Sequence, residues 1–145
     1  MRAAARTTRR TARRTTTDVA VSPDTPHLPY PAEIDSYGNG GFRFANMSHR
    51  GSLLCLPDGI WAWPYTTMAE LDAAALAPVI ARQGEIDFFL LGGGRDPVIM
   101  PSALRAMLSE HRINADAMTT GAAIRTYNIM LGERRRVAAA LIAVA

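Results

Sequence analysis

Thr119-Thr-Gly-Ala-Ala-Ile-Arg125-Thr-Tyr127-Asn-Ile-Met-Leu-Gly132 runs into Glu133-Arg-Arg-Arg136 and then into Val137-Ala-Ala-Ala-Leu-Ile-Ala-Val-Ala145. The first piece is apolar at helical spacing, the second is a charged turn, and the third is a continuous apolar run. That run is about half the ~20 residues needed to cross a bilayer, so it reads as a buried final strand. One polar stripe interrupts the helix. Gly121, Arg125, Asn128 and Gly132 follow i, i+4, i+7, i+11 spacing and share one face. On a helix otherwise fit for burial, such a stripe predicts contact with something polar.

Working upstream, Ile113, Ala115 and Ala117 alternate with Asn114, Asp116 and Met118 as a strand does. Pro101-Ser102 opens a helix that turns Leu104, Met107 and Leu108 inward. Ile86 to Leu91 is, after Asp87, a continuous apolar run fit for a strand covered on both faces, and Gly92-Gly93-Gly94 ends it. Strand, helix and strand make one crossover unit, for which parallel pairing and a right-handed connection are expected. Thr67-Met68-Ala69-Glu70 has capping-box spacing, with Met68, Leu71, Ala75, Val79 and Ile80 on one helical face behind it. Pro78 either kinks that helix or starts a second helical piece after a short turn; Gly84 stops it. Phe42 and Phe44, Ser52 to Leu56, and Ile60 to Trp63 read as three short strands of an antiparallel meander, with turns over 46–51 and at Pro57-Asp58-Gly59.

Charge separates the chain into two parts. All sixteen basic residues are Arg, and six of them lie in residues 1–17, which carry no acid. The remainder holds ten Arg against thirteen Asp and Glu, a balance of −3. The basic excess therefore belongs to a tail, and the rest of the chain is a poor candidate for specific nucleic-acid binding. Residues 1–17 contain only Met, Arg, Thr and Ala, too little apolar surface to offset the entropy of ordering, so a disordered tail is expected. Residues 18–40 are an extended Pro- and Gly-rich lead-in, and 41–145 a single α/β domain. The tail is rich in Arg and hydroxyl residues like a mitochondrial presequence, but it lacks leucines. A bacterial cytoplasm is the expected location, with the mitochondrial matrix as the alternative.

Candidate chemistry is sparse. Gly92-Gly93-Gly94 lies at the carboxyl end of a buried strand, where open α/β sheets bind ligands, and Arg95 adds charge. Its amides can cradle an anion, or the glycines can simply provide a sharp exit from the sheet. Neither Gly-x-Gly-x-x-Gly nor a P-loop is met. Arg125 and Asn128 either face a crevice beside that loop, or pair with a carboxylate such as Asp96 or Asp116 and tie down a neighbouring loop. Tyr127 belongs to the core with its hydroxyl at the rim. Gly92, Gly93, Gly94, Arg95, Arg125, Tyr127 and Asn128 are thus the candidate pocket. Trp61 and Trp63 share a strand face, as core or as an anchor for a partner. His49 is read as a turn contact. Single Cys55, in an apolar strand, is read as inert. No nucleophile stands beside an evident base and no ligand spacing suggests a metal, so no catalytic residue and no cofactor is expected.

Phe42-Arg43-Phe44, His49-Arg50-Gly51-Ser52-Leu53-Leu54, Phe89-Leu90-Leu91-Gly92-Gly93-Gly94, Arg125-Thr126-Tyr127-Asn128 and Glu133 to Leu141 together resemble one family. It is the small Mth-type domain family, which includes a mitochondrial complex I assembly factor, an adipogenesis-associated Mth domain protein, and bacterial members of unknown function. The resemblance covers roughly 35–145. It implies a three-layer α/β fold, with a central mixed sheet, helices and a small antiparallel accessory sheet. It also implies a non-enzymatic role exercised on other proteins, complex I subunits or assembly proteins among them. Two positions depart from the pattern. Many members have Gly-x-Gly with Thr where this chain has three glycines, and many have Cys where it has Ile124, which argues against thiol chemistry at that helix.

Overall fold

The computed structural model describes residues 25–145; the expectations for residues 1–17 and 18–24 lie outside them. Strand β1 (Ser36–Gly38) pairs antiparallel with β2 (Gly41–Phe44), and β2 with β3 (Met47–Arg50), in a small sheet of order β1-β2-β3. Both turns are two-residue hairpins with positive φ at both central residues: Asn39 (53°) and Gly40 (80°), then Ala45 (48°) and Asn46 (63°). That geometry matches the twist of the flanking strands. Two expectations change here. The lead-in contributes β1 to the domain, and the segment read as a turn over 46–51 holds β3. Ala45 is exposed, so its left-handed backbone is uncompensated by packing. Ala45→Gly is expected to stabilise the protein by about 0.5–1 kcal/mol, the relief of strain less glycine's entropy in the unfolded chain. A urea midpoint that stays put or falls would contradict this.

The main sheet has order β5-β4-β8-β6-β7, with β4 (Ser52–Leu56), β5 (Gly59–Trp63), β6 (Phe88–Gly92), β7 (Asn114–Met118) and β8 (Val137–Leu141). Pairs β4–β5 and β4–β8 are antiparallel, and β8–β6 and β6–β7 parallel. The expected meander is therefore split: the Phe42–Phe44 strand and the Ser52–Leu56 strand belong to different sheets, and Gly51, at φ 97°, turns the chain between them. From β6, helix α2 (Ser102–Glu110) leads to the neighbouring β7. From β7, helix α3 (Thr120–Gly132) leads back past β6 to β8. Right-handed connections running in opposite directions must lie on opposite faces. The two cores show this. Leu54, Leu56, Phe89, Leu91, Ala138 and Ala140 pack with Leu104 and Leu108 of α2. Leu53, Cys55, Leu90, Ala139 and Leu141 pack with Ala123, Ile124 and Tyr127 of α3, and with Phe42 and Phe44 of the small sheet. The period-two alternation of each strand divides its side chains between these layers.

The segment 67–80 is not one helix. The Glu70 carboxylate accepts from the amides of Thr66 (2.7 Å) and Thr67 (3.1 Å), so the capping box forms. The turn it caps, a 3-10 turn at Met68–Glu70, ends at once. Asp72 caps a second, Ala73–Leu76, accepting from Ala75 N at 3.0 Å. Then α1 (Ala77–Ile80) begins with Pro78 in its first turn, where a missing N–H costs nothing. Of the two readings of Pro78, the restart is the one formed. Ala75 and Val79 are buried under the sheet, with Met68, Leu71 and Ile80 packed at the rim.

Candidate functional site

The polar stripe on α3 has an occupant, and it is the chain itself. Asn128 Oδ1 accepts from Ile34 N (2.9 Å) and Asn128 Nδ2 donates to Ile34 O (2.9 Å). Tyr127 donates its hydroxyl to Ala32 O (3.0 Å), and burial pushes its phenol well above the usual range. A Cβ at Gly121 would strike the Tyr37 hydroxyl, and one at Gly132 would approach Glu33 Oε2. Residues 32–37 are thus laid along α3, and Gly121 is the clearance that Tyr37 needs. Asn128 ties down a neighbouring segment, one of the alternatives its position allowed. Arg125 is exposed and forms no ion pair among the described residues.

The glycine loop is also engaged internally. Gly93 N donates to Met118 O (2.9 Å) and Gly94 N to Thr120 Oγ1 (2.9 Å). Thr120 Oγ1 in turn donates to Ile142 O (2.7 Å), and Ile142 N to Gly92 O (2.9 Å). An anion at this point would have to displace these bonds. A Cβ on Gly92 would sit 3.0 Å from Thr120 Cα, so this glycine lets α3 start against the strand. Gly94, at φ 112°, makes the exit turn. The residues after β8 run across the carboxyl end of the sheet, and Arg95 Nη2 donates to Ala145 O (3.3 Å). Six of the seven candidate residues therefore serve two separate internal contacts, the glycine loop with Arg95 and the α3 face with Tyr127 and Asn128, while Arg125 faces solvent.

Among the described residues, a groove lies at the other edge of the sheet. Trp63 is buried and donates Nε1–H to Ala75 O (3.2 Å). Trp61, on the same face of β5, stays half-buried. The Arg82 guanidinium lies 5.1 Å from its ring centroid and is held there by Asp58 (2.7 and 3.1 Å) and Pro78 O (2.8 Å). That pairing keeps the Asp58 carboxyl below the usual carboxylate range. With Pro64, Tyr65 and Pro78 these side chains line a groove of about 400 Å³. Strand β5 is an edge strand. Ile60 exchanges backbone bonds with Leu28, so its N–H and C=O point outward. By antiparallel alternation those of Ala62 do too. The residue in register with Ala62 is Pro26, which has no N–H to continue the pairing. Among the described residues nothing bonds the Ala62 edge outside the sheet. Sequence spacing showed the two Trp residues on one face but not the Arg82 lid, 21 positions later.

A second feature is the histidine pair. His49 Nε2 lies 3.0 Å from Ser52 O, and a carbonyl only accepts, so Nε2 carries the proton. His49 Nδ1 then accepts from His27 Nε2 at 2.9 Å. Burial holds both pKa values below the usual 6.5, with the charge of His49 lowering His27 further and the Ser52 carbonyl partly offsetting the shift at His49. Below pH 6.5 the unfolded chain takes up protons that the folded pair resists. Stability is therefore greatest above 6.5, falls as pH approaches the lowered folded values, and levels below them. Thermal melts are expected to show a loss between about pH 7.5 and 5.5 that is clearly smaller in His49→Gln. Equal losses would rule out the pair as its source.

Burial pushes the Cys55 thiol up to about 12, so it stays protonated and unreactive. Among the described residues no three His, Cys, Asp or Glu side chains are placed to hold a metal ion, and no helix is long and apolar enough to cross a membrane.

Residues 34–142 match the family described as "Protein of unknown function (DUF498/DUF598)". This chain is a member of the DUF498 family. A relative, an uncharacterized protein of Rhodobacter capsulatus, is 37% identical over 122 residues, 84% of this chain and 93% of that protein. The NADH dehydrogenase [ubiquinone] 1 alpha subcomplex assembly factor 3 of Drosophila melanogaster is 25% identical over 112 residues. The match takes in 75% of this chain and 57% of that protein, so the chain spans a little over half of it. Among solved structures, a Bartonella henselae protein described as an outer membrane protein superposes with a TM-score of 0.79 at 46% identity, over 82% of this chain and all of that one. A Mth938-like domain of Bordetella pertussis superposes at 0.65 and 23% identity, over 90% and 92% of the two chains, and shows the shared fold. The DUF498 match, the assembly-factor relative and the Mth938-like fold bear out the Mth-type resemblance read from the sequence and its mixed α/β architecture.

Proposed function

We propose that this DUF498 domain acts by protein contact rather than turnover, as a factor in the assembly of respiratory complex I, working from the bacterial cytoplasm. The observation that carries the reading is the groove of Trp61, Tyr65 and Arg82 at the β5 side of the main sheet. Trp, Tyr and Arg are the side chains over-represented at the energetic centres of protein interfaces. The relative named as an assembly factor supplies the process. The alternative, an anion pocket built on Gly92 to Gly94 with Arg125 and Asn128, has less in its favour, because the amides of Gly93 and Gly94 and the Asn128 carboxamide already have partners.

The test is genetic with a biochemical readout. Deleting the gene in the native cell is expected to deplete assembled complex I on native gels stained for NADH oxidation. Wild type restores it; Trp61→Glu, which alters the groove wall without emptying the core, does not. Normal complex I in the deletion strain would overturn the proposal.

A further inference from the structure

The outer face of the small sheet carries an arrangement that the groove does not explain. Alternation turns Phe42 and Phe44 inward and leaves Ser36, Gly38, Gly41, Arg43, Ser48 and Arg50 outward. Register sorts these into two rows. Ser36, Arg43 and Ser48 lie side by side, and next to them Gly38, Gly41 and Arg50. In the first row Arg43 Nη1 donates to Ser48 Oγ (2.9 Å), which holds its guanidinium over the sheet. In the second, two residues without side chains leave a floor beside Arg50. A Cβ on Gly38 would meet nothing within 4 Å, and a Cβ on Gly41 would collide with the His49 carbonyl. The result is a cleft of about 370 Å³ with two arginines and no acidic residue in its lining. Neither arginine forms an ion pair among the described residues, whereas Arg82 and Arg136 each grip an aspartate.

We propose that this cleft binds an extended acidic segment of a partner polypeptide with carboxylates at alternate positions. The two arginines are diagonal neighbours on one sheet face, a separation of about 7–8 Å. Alternate side chains of an extended chain are spaced about 6.5–7 Å on one side, so two carboxylates of an acid-x-acid sequence meet one guanidinium each. The glycine floor admits the partner's backbone, and Ser36 and Ser48 donate to the remaining carboxylate oxygens. This deepens the interaction reading by naming a second contact and its chemistry. Its measurement does not involve complex I, so either idea can fail alone.

The full chain, labelled with ¹⁵N, is titrated with a Ser-Glu-Ser-Glu-Ser peptide and with Ser-Ser-Glu-Glu-Ser, which has equal charge but carboxylates on opposite sides. Shifts are expected to cluster over residues 36–50. Affinity should be at least about 5-fold weaker for the adjacent-glutamate peptide and about 10-fold weaker in R43Q/R50Q. R105Q/R112Q loses the same charge elsewhere and retains the arginine-rich residues 1–17, so it should bind like wild type. Four results would overturn the proposal: no shifts at millimolar peptide, shifts confined to other regions, equal binding of the two peptides, or equal losses in the two double variants.

Discussion

Replacing Thr120 with Val is expected to lower the unfolding free energy by about 3 kcal/mol, although the two side chains have the same shape. Thr120 is fully buried. Its hydroxyl accepts from Gly94 N and donates to Ile142 O, joining the glycine loop, the start of α3 and the end of β8 through one atom. A methyl in its place leaves no cavity but strands a buried N–H and a buried carbonyl, at about 1–3 kcal/mol each. Thr120→Ser keeps both bonds and loses one buried methyl, so about 1 kcal/mol is expected. Urea unfolding of the three proteins checks this, with amide exchange at Gly94 as a local readout. A Val variant no less stable than the Ser variant would mean that the bridge is not what holds the loop.

Asn128→Leu is the second large effect, about 2 kcal/mol and concentrated on one segment. Asn128 is the only donor–acceptor pair by which α3 holds Ile34 among the described residues, and it satisfies both backbone groups of that residue at once. Leu keeps the volume and offers neither bond. The site is part-buried, so water recovers some of the loss, which is why the cost is set below that at Thr120. The segment over 32–38 should lose hydrogen-exchange protection and become sensitive to limited proteolysis, while β6 and β8 stay protected. Uniform loss of protection across the domain would show that the segment is not a separable layer on the helix.

The Trp61 groove opens on the α2 face of the main sheet, whereas the small sheet that carries the two-arginine cleft packs against the α3 face, so the two surfaces lie on opposite sides of the main sheet. Gly51 has a backbone at φ 97°, and His49 Nε2 lies 3.7 Å from where its Cβ would be. The histidine pair sits where the small sheet joins the main one, and the acid destabilisation described above falls on that junction.

Some of this was legible in the residues because the signals are local. The 3.6-residue period of Thr120–Gly132 and the unbroken apolar run of Val137–Leu141 define α3 and β8. The period-two pattern of Phe42 and Phe44 and the capping box at Thr67 are likewise short-range, whereas Pro78 allowed a kink or a restart and only the structure chose the restart. The Asn39-Gly40 pair is a strong hairpin signal, yet β1 has only three residues and follows a Pro-rich stretch, so the flanking pattern was too short to be recognised. The length of the helix behind Thr67 was not legible because Asp72 caps a new turn where periodicity continues.

The sequence by itself determined which faces are apolar, where the chain turns, and that α3 presents an Arg, an Asn and two glycines on one side, because each is a property of residues within a few positions of one another. Only the tertiary structure decided what those groups meet. Asn128 reaches Ile34 across 94 positions, and Thr120 reaches Gly94 across 26. A hydrogen bond is indifferent to sequence separation, so the same asparagine is equally consistent with a ligand pocket and with an internal clasp until sheet order and connection handedness bring one particular backbone within 3 Å of it.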